Sequence, residues 1–357
     1  MSGAQAAMKT AFITGITGQD GSYLAEYLLD EHKYGHVIGL VRHTATGSFR
    51  NISSIRSHPS LTLLDGDLMD YTLLARTFSV YRIDECYNLA AQSFVRYSFD
   101  NPTTTFQTNL LGVVNLLEAI RSQSPTTRFY QASTSEMYGG LSENPLSEAH
   151  EFHPRSPYGC SKLAAFWHAV NMREAYGLFV CNGVAFNHES PRRGEEFVTR
   201  KVVRGAVAYR VWLDGGAAGE APVLTLGNLE ARRDWGHARD YVGAMWMMLQ
   251  QDEPGDYVLA TGETHSVRDL VELAFGHPAI RGGIRWEGEG AEEVGRDDEG
   301  RVIVAIDPVH YRPTEVNVLR GDAGKAREVL GWRPACDFTG LVDEMVTAAL
   351  RSRGARR

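Results

Sequence analysis

Cysteine is scarce. Four occur in 357 residues (Cys86, Cys160, Cys181 and Cys336), and no two form a C-x-x-C pair. That scatter argues against a zinc site and for a reducing compartment, so a cytoplasmic protein without a metal is expected. No run of ~18 apolar residues occurs, so no membrane span is expected. Met1 to Ala7 has neither a charged n-region nor an apolar h-region and does not read as a signal peptide. Net charge is −8, and no basic block is long enough to suggest nucleic acid. The short basic tail Arg351 to Arg357 reads as a frayed end. There is no internal repeat and no low-complexity segment. What remains is ordinary globular composition, 43% hydrophobic and 22% charged, enough for one large or two medium domains.

Lys9 to Thr14 reads as a short buried strand, followed at once by Gly15-Ile16-Thr17-Gly18-Gln19-Asp20-Gly21 and a helix from Ser22 to Glu31. This G-x-x-G-x-x-G run is a variant of the dinucleotide fingerprint. Its glycines allow a tight turn and close backbone approach to a pyrophosphate, and the helix start offers N–H groups to phosphate. The next strand, His36 to Val41, ends at Arg42. An NAD site carries an acid about 20 residues past the glycines to hold the ribose hydroxyl. Here Arg42 stands in that place with no acid from Val37 to Ala45, which suits the 2′-phosphate of NADP. A third strand, Leu61 to Leu64, closes on Gly66-Asp67-Leu68, where Asp67 can accept from an adenine amino group and Leu68 can offer its backbone. A fourth, from Glu85, runs into Leu89-Ala90-Ala91-Gln92-Ser93, small enough for a cofactor to lie close. A helix Thr105 to Arg121 follows. Strands alternating with helices imply a parallel sheet with its ligand beyond the strands' carboxyl ends.

Arg128 to Ala132 is the fifth strand, and Thr134, Ser135 and Glu136 lie past its carboxyl end. A carboxylate at a buried strand end is costly unless paired or used. Downstream, Ser156 reads as an N-cap and Pro157 as the first residue of a helix that Gly177 stops. Tyr158 and Lys162 share one face of that helix. A tyrosine titrates near ~10, and a cation beside it favours the phenolate. Such a pair can exchange a proton with a sugar hydroxyl.

Together the glycine turn, Ser133-Thr134 and Tyr158/Lys162 resemble the extended short-chain dehydrogenases/reductases. The finer resemblance is to the GDP-mannose 4,6-dehydratase family, and it spans nearly the whole chain. It is carried by Gly18-Gln19-Asp20-Gly21-Ser22-Tyr23, Ser133 to Gly139, Pro154 to Gly159, Arg233-Asp234-Trp235-Gly236-His237 and Tyr311-Arg312-Pro313-Thr314-Glu315-Val316, and most specifically by Asn187-His188-Glu189-Ser190-Pro191-Arg192-Arg193-Gly194. The resemblance implies that Tyr158 is the base toward a sugar C4 hydroxyl with Thr134 assisting, that Lys162 binds the nicotinamide ribose, and that Glu136 takes the C5 proton. It implies contact of His188 and Arg193 with NADP. It assigns Ser93, Ser135, Asn187, Val198, Lys201, Gly227, Arg233, Arg312 and Glu315 to the GDP-sugar. It implies a homodimer or a tetramer, through the helix after Tyr158 and the one before it. In the family a loop reaches a neighbouring subunit's cofactor. Here that stretch, Arg42 to Ala45, lacks the usual Arg-Arg-Ser-Ser and the segment up to Asp67 is shorter. Phe94 stands where histidine is usual, Thr104 where tyrosine is usual and Asn317 where aspartate is usual. GDP-manno-heptose therefore stays open beside GDP-mannose as the sugar, and a nucleotide-sugar 4-epimerase, which needs no base at C5, is the alternative reaction.

The expected fold is α/β: a Rossmann-type doubly wound parallel sheet with a smaller mixed α/β C-terminal domain for the substrate. The expected division is 1–186 for the dinucleotide, with 238–262 returning to it, and mainly 187–357 for the nucleotide sugar. Further elements expected are helices Val198 to Val211, Asp240 to Gln251 and Asp322 to Leu330, and strands Leu224 to Gly227 and Tyr257 to Ala260. Gly288 to Gly300 is expected to be an exposed loop.

Overall fold

The computed structural model describes residues 8–43, 48–141, 145–311 and 314–354. The expectations for Thr44, Ala45 and Arg312 lie outside them. Its centre is a seven-stranded sheet. In chain order the elements of the first half are β1 (Thr10–Thr14), α1 (Gln19–Glu26, extended by a π-helical turn to Glu31), β2 (His36–Val41), β3 (Leu61–Asp65), α2 (Tyr71–Val80) and β4 (Glu85–Asn88). They continue with α3 (Val95–Asp100), α4 (Pro102–Phe106), α5 (Gly112–Gln123), β5 (Arg128–Thr134), α6 (Pro157–Tyr176) and β6 (Val180–Ala185). All pairings in the sheet are parallel, in the order β3-β2-β1-β4-β5-β6, and β11 (Asp256–Leu259) adds to its β6 edge. This is the doubly wound order whose switch point lies between β1 and β4. One apolar core lies on each face: Leu24, Leu28, Val242 and Met245 on one, Phe12, Leu117, Ala165 and Ala169 on the other. Among the described residues no helix is long and apolar enough to cross a membrane.

The rest packs at the carboxyl ends of these strands. β7 (Asn187–Glu189) pairs with β10 (Trp235–His237), and β9 (Arg232–Arg233) lies between β12 (His265–Ser266) and β16 (Val318–Leu319). Helices α7 (Val198–Asp214), α9 (Val267–Phe275) and α10 (Phe338–Gly354) enclose a third core with Leu224, Trp235 and Val304. Helix α8 (Ala238–Leu249) packs on α1.

Several expectations need correction. The first helix starts at Gln19, three residues early, because Gly18 already serves as its N-cap. The helix expected from Thr105 begins at Pro102, which fits a first turn, and continues through a π-helical segment to Gln123. The fifth strand reaches Thr134, so Thr134 ends the strand and does not follow it. Gly288 to Gly300 is exposed at both ends, as expected, but is not a loop throughout. It contains β14 (Val294–Arg296), paired with β13 (Arg285–Glu287) and β15 (Val302–Ile306) beside β8 (Leu224–Leu226). Buried Asp297 fixes it, accepting from Tyr209 Oη at 3.1 Å and Arg301 Nε at 2.7 Å.

Candidate active site

The site grows from the ends of β1, β4 and β5. Thr14 is buried at the end of β1; its Oγ1 donates to Asn88 Oδ1 at 2.6 Å and accepts from the N–H groups of Leu89 and Ala90, both at 3.1 Å. This pins the segment after β4 against the glycine turn. Gly15 has φ +70°, and a Cβ there would stand 2.8 Å from the Ala90 nitrogen, so only glycine fits. At the other end of the turn Gly18 gives α1 no side-chain cap, which leaves its first N–H groups for an anion. A glycine cradle closed against small residues, with an uncapped helix start, fits a dinucleotide.

On the far side, Ser156 Oγ accepts from Gly159 N at 3.0 Å and starts α6, and Gly177 stops it at φ +67°. A Cβ at Gly159 would come 2.8 Å from the Glu136 carbonyl oxygen. This glycine lets the first turn of α6 lie against the turn after β5. Tyr158, Thr134 and Glu136 therefore meet, all buried, at the wall of one cavity. Burial pushes Tyr158 up to about 12; Glu136 and Asp20 push the same way, and Thr134 and Arg193 oppose. Lys162 is buried too, and burial drives it down to about 8 against the pull of Asp20. Its ammonium donates to the Ala132 carbonyl at 2.9 Å and stands 6.0 Å from the Tyr158 ring centroid. In this geometry the cation expected to favour the phenolate does not reach it.

A second polar knot joins α1 to β7. His188 Nε2 meets Asp20 Oδ2 at 3.0 Å, and its Nδ1 meets the Phe186 carbonyl at 2.7 Å. Two acceptors on one ring call for two N–H donors, the imidazolium. Burial opposes that charge, but Asp20 outweighs it and the His188 pKa is raised. Burial likewise would raise Asp20, yet His188, Gln19 and Arg193 hold it down to about 2. Gln19 ties in further, donating to the His188 carbonyl at 3.0 Å and accepting from Ser190 Oγ at 2.8 Å. Arg193 Nε lies 3.1 Å from Glu189 Oε2, its guanidinium lies 3.6 Å from the Phe197 ring centroid, and Thr199 donates to Glu189 at 2.5 Å.

Tyr158, Thr134, Glu136, Lys162, Asp20, His188, Glu189 and Arg193 line one cavity of about 340 Å³. A model of the GDP-mannose 4,6 dehydratase family matches residues 12–345. The chain belongs to the GDP-mannose 4,6-dehydratase family. It is 50% identical to the GDP-mannose 4,6-dehydratase of Sinorhizobium fredii, over 98% of this chain and 99% of the relative. It is 49% identical to the human GDP-mannose 4,6 dehydratase, over 95% and 90%. Among solved structures it resembles DesIV, a dTDP-glucose 4,6-dehydratase of Streptomyces venezuelae with NAD and TYD bound (TM-score 0.81, 24% identity, 97% of this chain and 98% of that one). It also resembles the UDP-glucose 4-epimerase of Thermus thermophilus in complex with NAD (TM-score 0.76, 27% identity, 97% and 99%).

Of the residues singled out in the sequence of this dehydratase-family chain, the cavity gathers Asp20, Leu89, Ala91, Ser93, Thr134, Ser135, Glu136, Tyr158, Lys162, Asn187, His188, Arg193, Val198, Lys201, Gly227, Arg233 and Glu315. Gly15, Ile16, Thr17, Gly18, Gln19, Gly21 and Ala90 form the turn and the strand end beside it, outside its walls. Arg42 is exposed at the end of β2. Asp67 Oδ1 accepts from Met69 N at 2.9 Å, and the Leu68 carbonyl is taken by Asn115 at 3.0 Å. Gln92 is held by Asn109 in both directions, at 2.8 and 3.0 Å, and is not a cavity wall. Sequence reasoning missed Glu189, Phe197 and His310 as walls, and Thr14 as the pin behind the glycine turn. Glu189 lies inside the Asn187 to Gly194 run, but alone it reads as a solvated acid.

Proposed function

We propose that the chain dehydrates GDP-mannose to GDP-4-keto-6-deoxymannose, with its chemistry at Thr134, Glu136 and Tyr158. The observation that carries this is the meeting of a phenol, a hydroxyl and a carboxylate at the end of β5, in a chain of this family. Glu136 favours a dehydratase over a 4-epimerase, which removes no C5 proton.

A nicotinamide cofactor, when bound, supplies the acceptor for hydride from C4 and its return to C6. The glycine turn, Asp20, Leu89, Ala91, Ser93, Lys162, His188 and Arg193 would hold it. Tyr158 takes the C4 hydroxyl proton while Thr134 holds the oxygen. With C4 a ketone, the C5 proton is acidic, and Glu136 removes it. The C6 hydroxyl leaves as water on receiving a proton. Neither neighbour of Glu136, Ser135 or Met137, is an acid, so Glu136 serves as both base and acid. Lys201 and Arg233 supply cations for the diphosphate.

Finer assignments are part of this proposal. NADP is favoured over NAD by Arg42 and the missing acid after β2. Residues 1–186 with 238–262 serve the dinucleotide and the rest of 187–357 the nucleotide sugar, a division supported by the pairing of β11 with β6. A homodimer is supported by exposed Trp167 and Tyr176 on α6, and a cytoplasmic location by free cysteines. The test is a panel of nucleotide sugars, GDP-mannose and GDP-manno-heptose included, with a mass readout. Loss of one water from GDP-mannose supports the reading; a mass-neutral product with inverted C4 would replace it with an epimerase.

A further inference from the structure

Away from the reacting groups the cavity holds a cation against an imidazole. Lys201 Nζ lies 3.1 Å from His310 Nε2, and Thr225 Oγ1 lies 3.2 Å from the same nitrogen. An ammonium has only donors, so His310 Nε2 is the acceptor here and the ring is neutral. Three elements make this contact: α7, β8 and the 3₁₀ turn Pro308–His310. The turn is built to lie there. Asp307 caps it, accepting from Val309 N at 3.0 Å, and Asp307 N donates to the Leu226 carbonyl at 2.8 Å. Gly227 makes room, since a Cβ would stand 2.9 Å from the His310 carbonyl oxygen. Among the described residues, the charged groups facing the imidazole are Lys201 from α7 and Asp307 from its own turn; β8 offers the neutral Thr225. Burial and then Lys201 hold the His310 pKa down, with Asp307 opposing.

We propose that His310 is a proton-linked ligand of the substrate's diphosphate. It accepts from Lys201 in the ligand-free state and takes up a proton to become a second cationic donor when a diphosphate oxygen engages Lys201. A diphosphate brings acceptors and no donor. Once its oxygens take the Lys201 protons, a neutral Nε2 sets a lone pair against the anion. Protonation turns that repulsion into a charge-assisted hydrogen bond. The inference rests on the GDP-sugar reading and adds a proton to it.

The probe is GDP, titrated calorimetrically in buffers of different ionisation enthalpy, across about pH 6 to 9, with wild type and His310→Gln. Glutamine can hydrogen-bond but cannot titrate. The difference between the two proteins removes the nucleotide's own phosphate titration. Wild type should take up more protons than the variant, by as much as about one per site. Its affinity advantage should reach roughly tenfold at the acid end and vanish at the alkaline end. Histidine NMR of the wild type alone should show the His310 pKa rising on GDP binding, which keeps the test open if the variant fails to fold. Equal proton uptake in the two proteins, a pH-independent affinity ratio, or an unmoved His310 resonance would overturn the proposal. A protein that dehydrates GDP-mannose yet shows any of these keeps its function and loses this inference. One that binds no GDP loses both.

Discussion

Lys162 donates its buried ammonium to the Ala132 carbonyl at 2.9 Å, one turn along α6 from Tyr158. Burial depresses its pKa from 10.5 to about 8, with Asp20 pulling back. A depressed lysine destabilises the fold while charged. As pH rises from about 8 to 10.5 the folded chain gives up a proton that the unfolded chain keeps, so stability gains across that window. Ligand-free Lys162→Met should therefore be more stable than wild type at neutral pH, by about 2–3 kcal/mol, and the gap should close by about pH 10.5. Urea denaturation at several pH values checks this. A variant less stable at neutral pH would mean that the Ala132 hydrogen bond outweighs desolvation.

Arg42 is exposed where β2 ends, and no acid stands from Val37 to His43 to hold a ribose hydroxyl. The ligand-free protein should bind NADP more tightly than NAD. Arg42→Glu should cut that preference by roughly tenfold or more, the worth of a charge-assisted contact. Direct titration with both dinucleotides measures it. Equal affinity in the unmodified protein refutes the NADP assignment.

Asp234 stands between Arg233 and Trp235, two walls of the cavity, and is fully buried. Its carboxylate accepts from Thr261 N at 2.8 Å, Thr261 Oγ1 at 2.7 Å, Gly262 N at 2.9 Å and Gly321 N at 3.3 Å. It ties the end of β11 and the segment after β16 to the strands that carry the walls. Asp234→Ala strands several buried donors and should cost about 3–5 kcal/mol. Asp234→Asn, which keeps one acceptor, should cost less. Thermal and urea unfolding of both variants decides it.

The first half of the fold was readable because β1, β3 and β4 run into glycine or small residues before a helix. Helix α6 was readable because its cap, its proline and its stop are local. Strand β6 was not recognised. Val180 to Ala185 is interrupted by Asn182 and Gly183, and both answer to distant partners: Asn182 Nδ2 donates to Asp256 at 2.9 Å, and a Cβ on Gly183 would meet the Tyr130 hydroxyl at 2.3 Å. The sheet hidden in the acidic, glycine-rich stretch depends likewise on Tyr209, 88 positions from Asp297. Helix α9 is different. Its capping box, Ser266 with Asp269, is a local signal present in the sequence. In the site, the Tyr158–Lys162 spacing was visible, but where the ammonium points depends on a carbonyl 30 residues away.

Helix α6 exposes Trp167 and Tyr176, each 56% accessible, and Arg121 of α5 lies 5.1 Å over the Tyr176 ring. We propose that the uncovered Trp167 side of α6 seats a second copy of the chain across an isologous interface. Sedimentation at micromolar concentration should show a dimer or larger, and Trp167→Arg should shift it toward monomer. A monomeric wild type refutes this; a tetramer would show that the short stretch after Arg42 still serves.

Glu136 separates a dehydratase from its relatives. It is buried two residues past Thr134, and its backbone N–H lies 3.3 Å from Thr134 Oγ1. If it only packs, Glu136→Gln, which keeps the shape, should turn over nearly normally. If it is the C5 base, the variant keeps Tyr158 and Thr134 and loses the proton acceptor. Removing a general base typically costs ~10²–10⁴ in rate. Oxidation at C4 comes before the C5 step and should survive. Quenched Glu136→Gln should then hold a GDP-sugar lighter by two hydrogens, with little water lost and little solvent deuterium at C5. Tyr158→Phe should yield neither that ketone nor product. The two variants thus stop the sequence at different bonds, and mass spectrometry of the bound sugar reads which. Dehydration at the wild-type rate by Glu136→Gln, or tight sugar binding without the C4 ketone, would remove Glu136 from the mechanism.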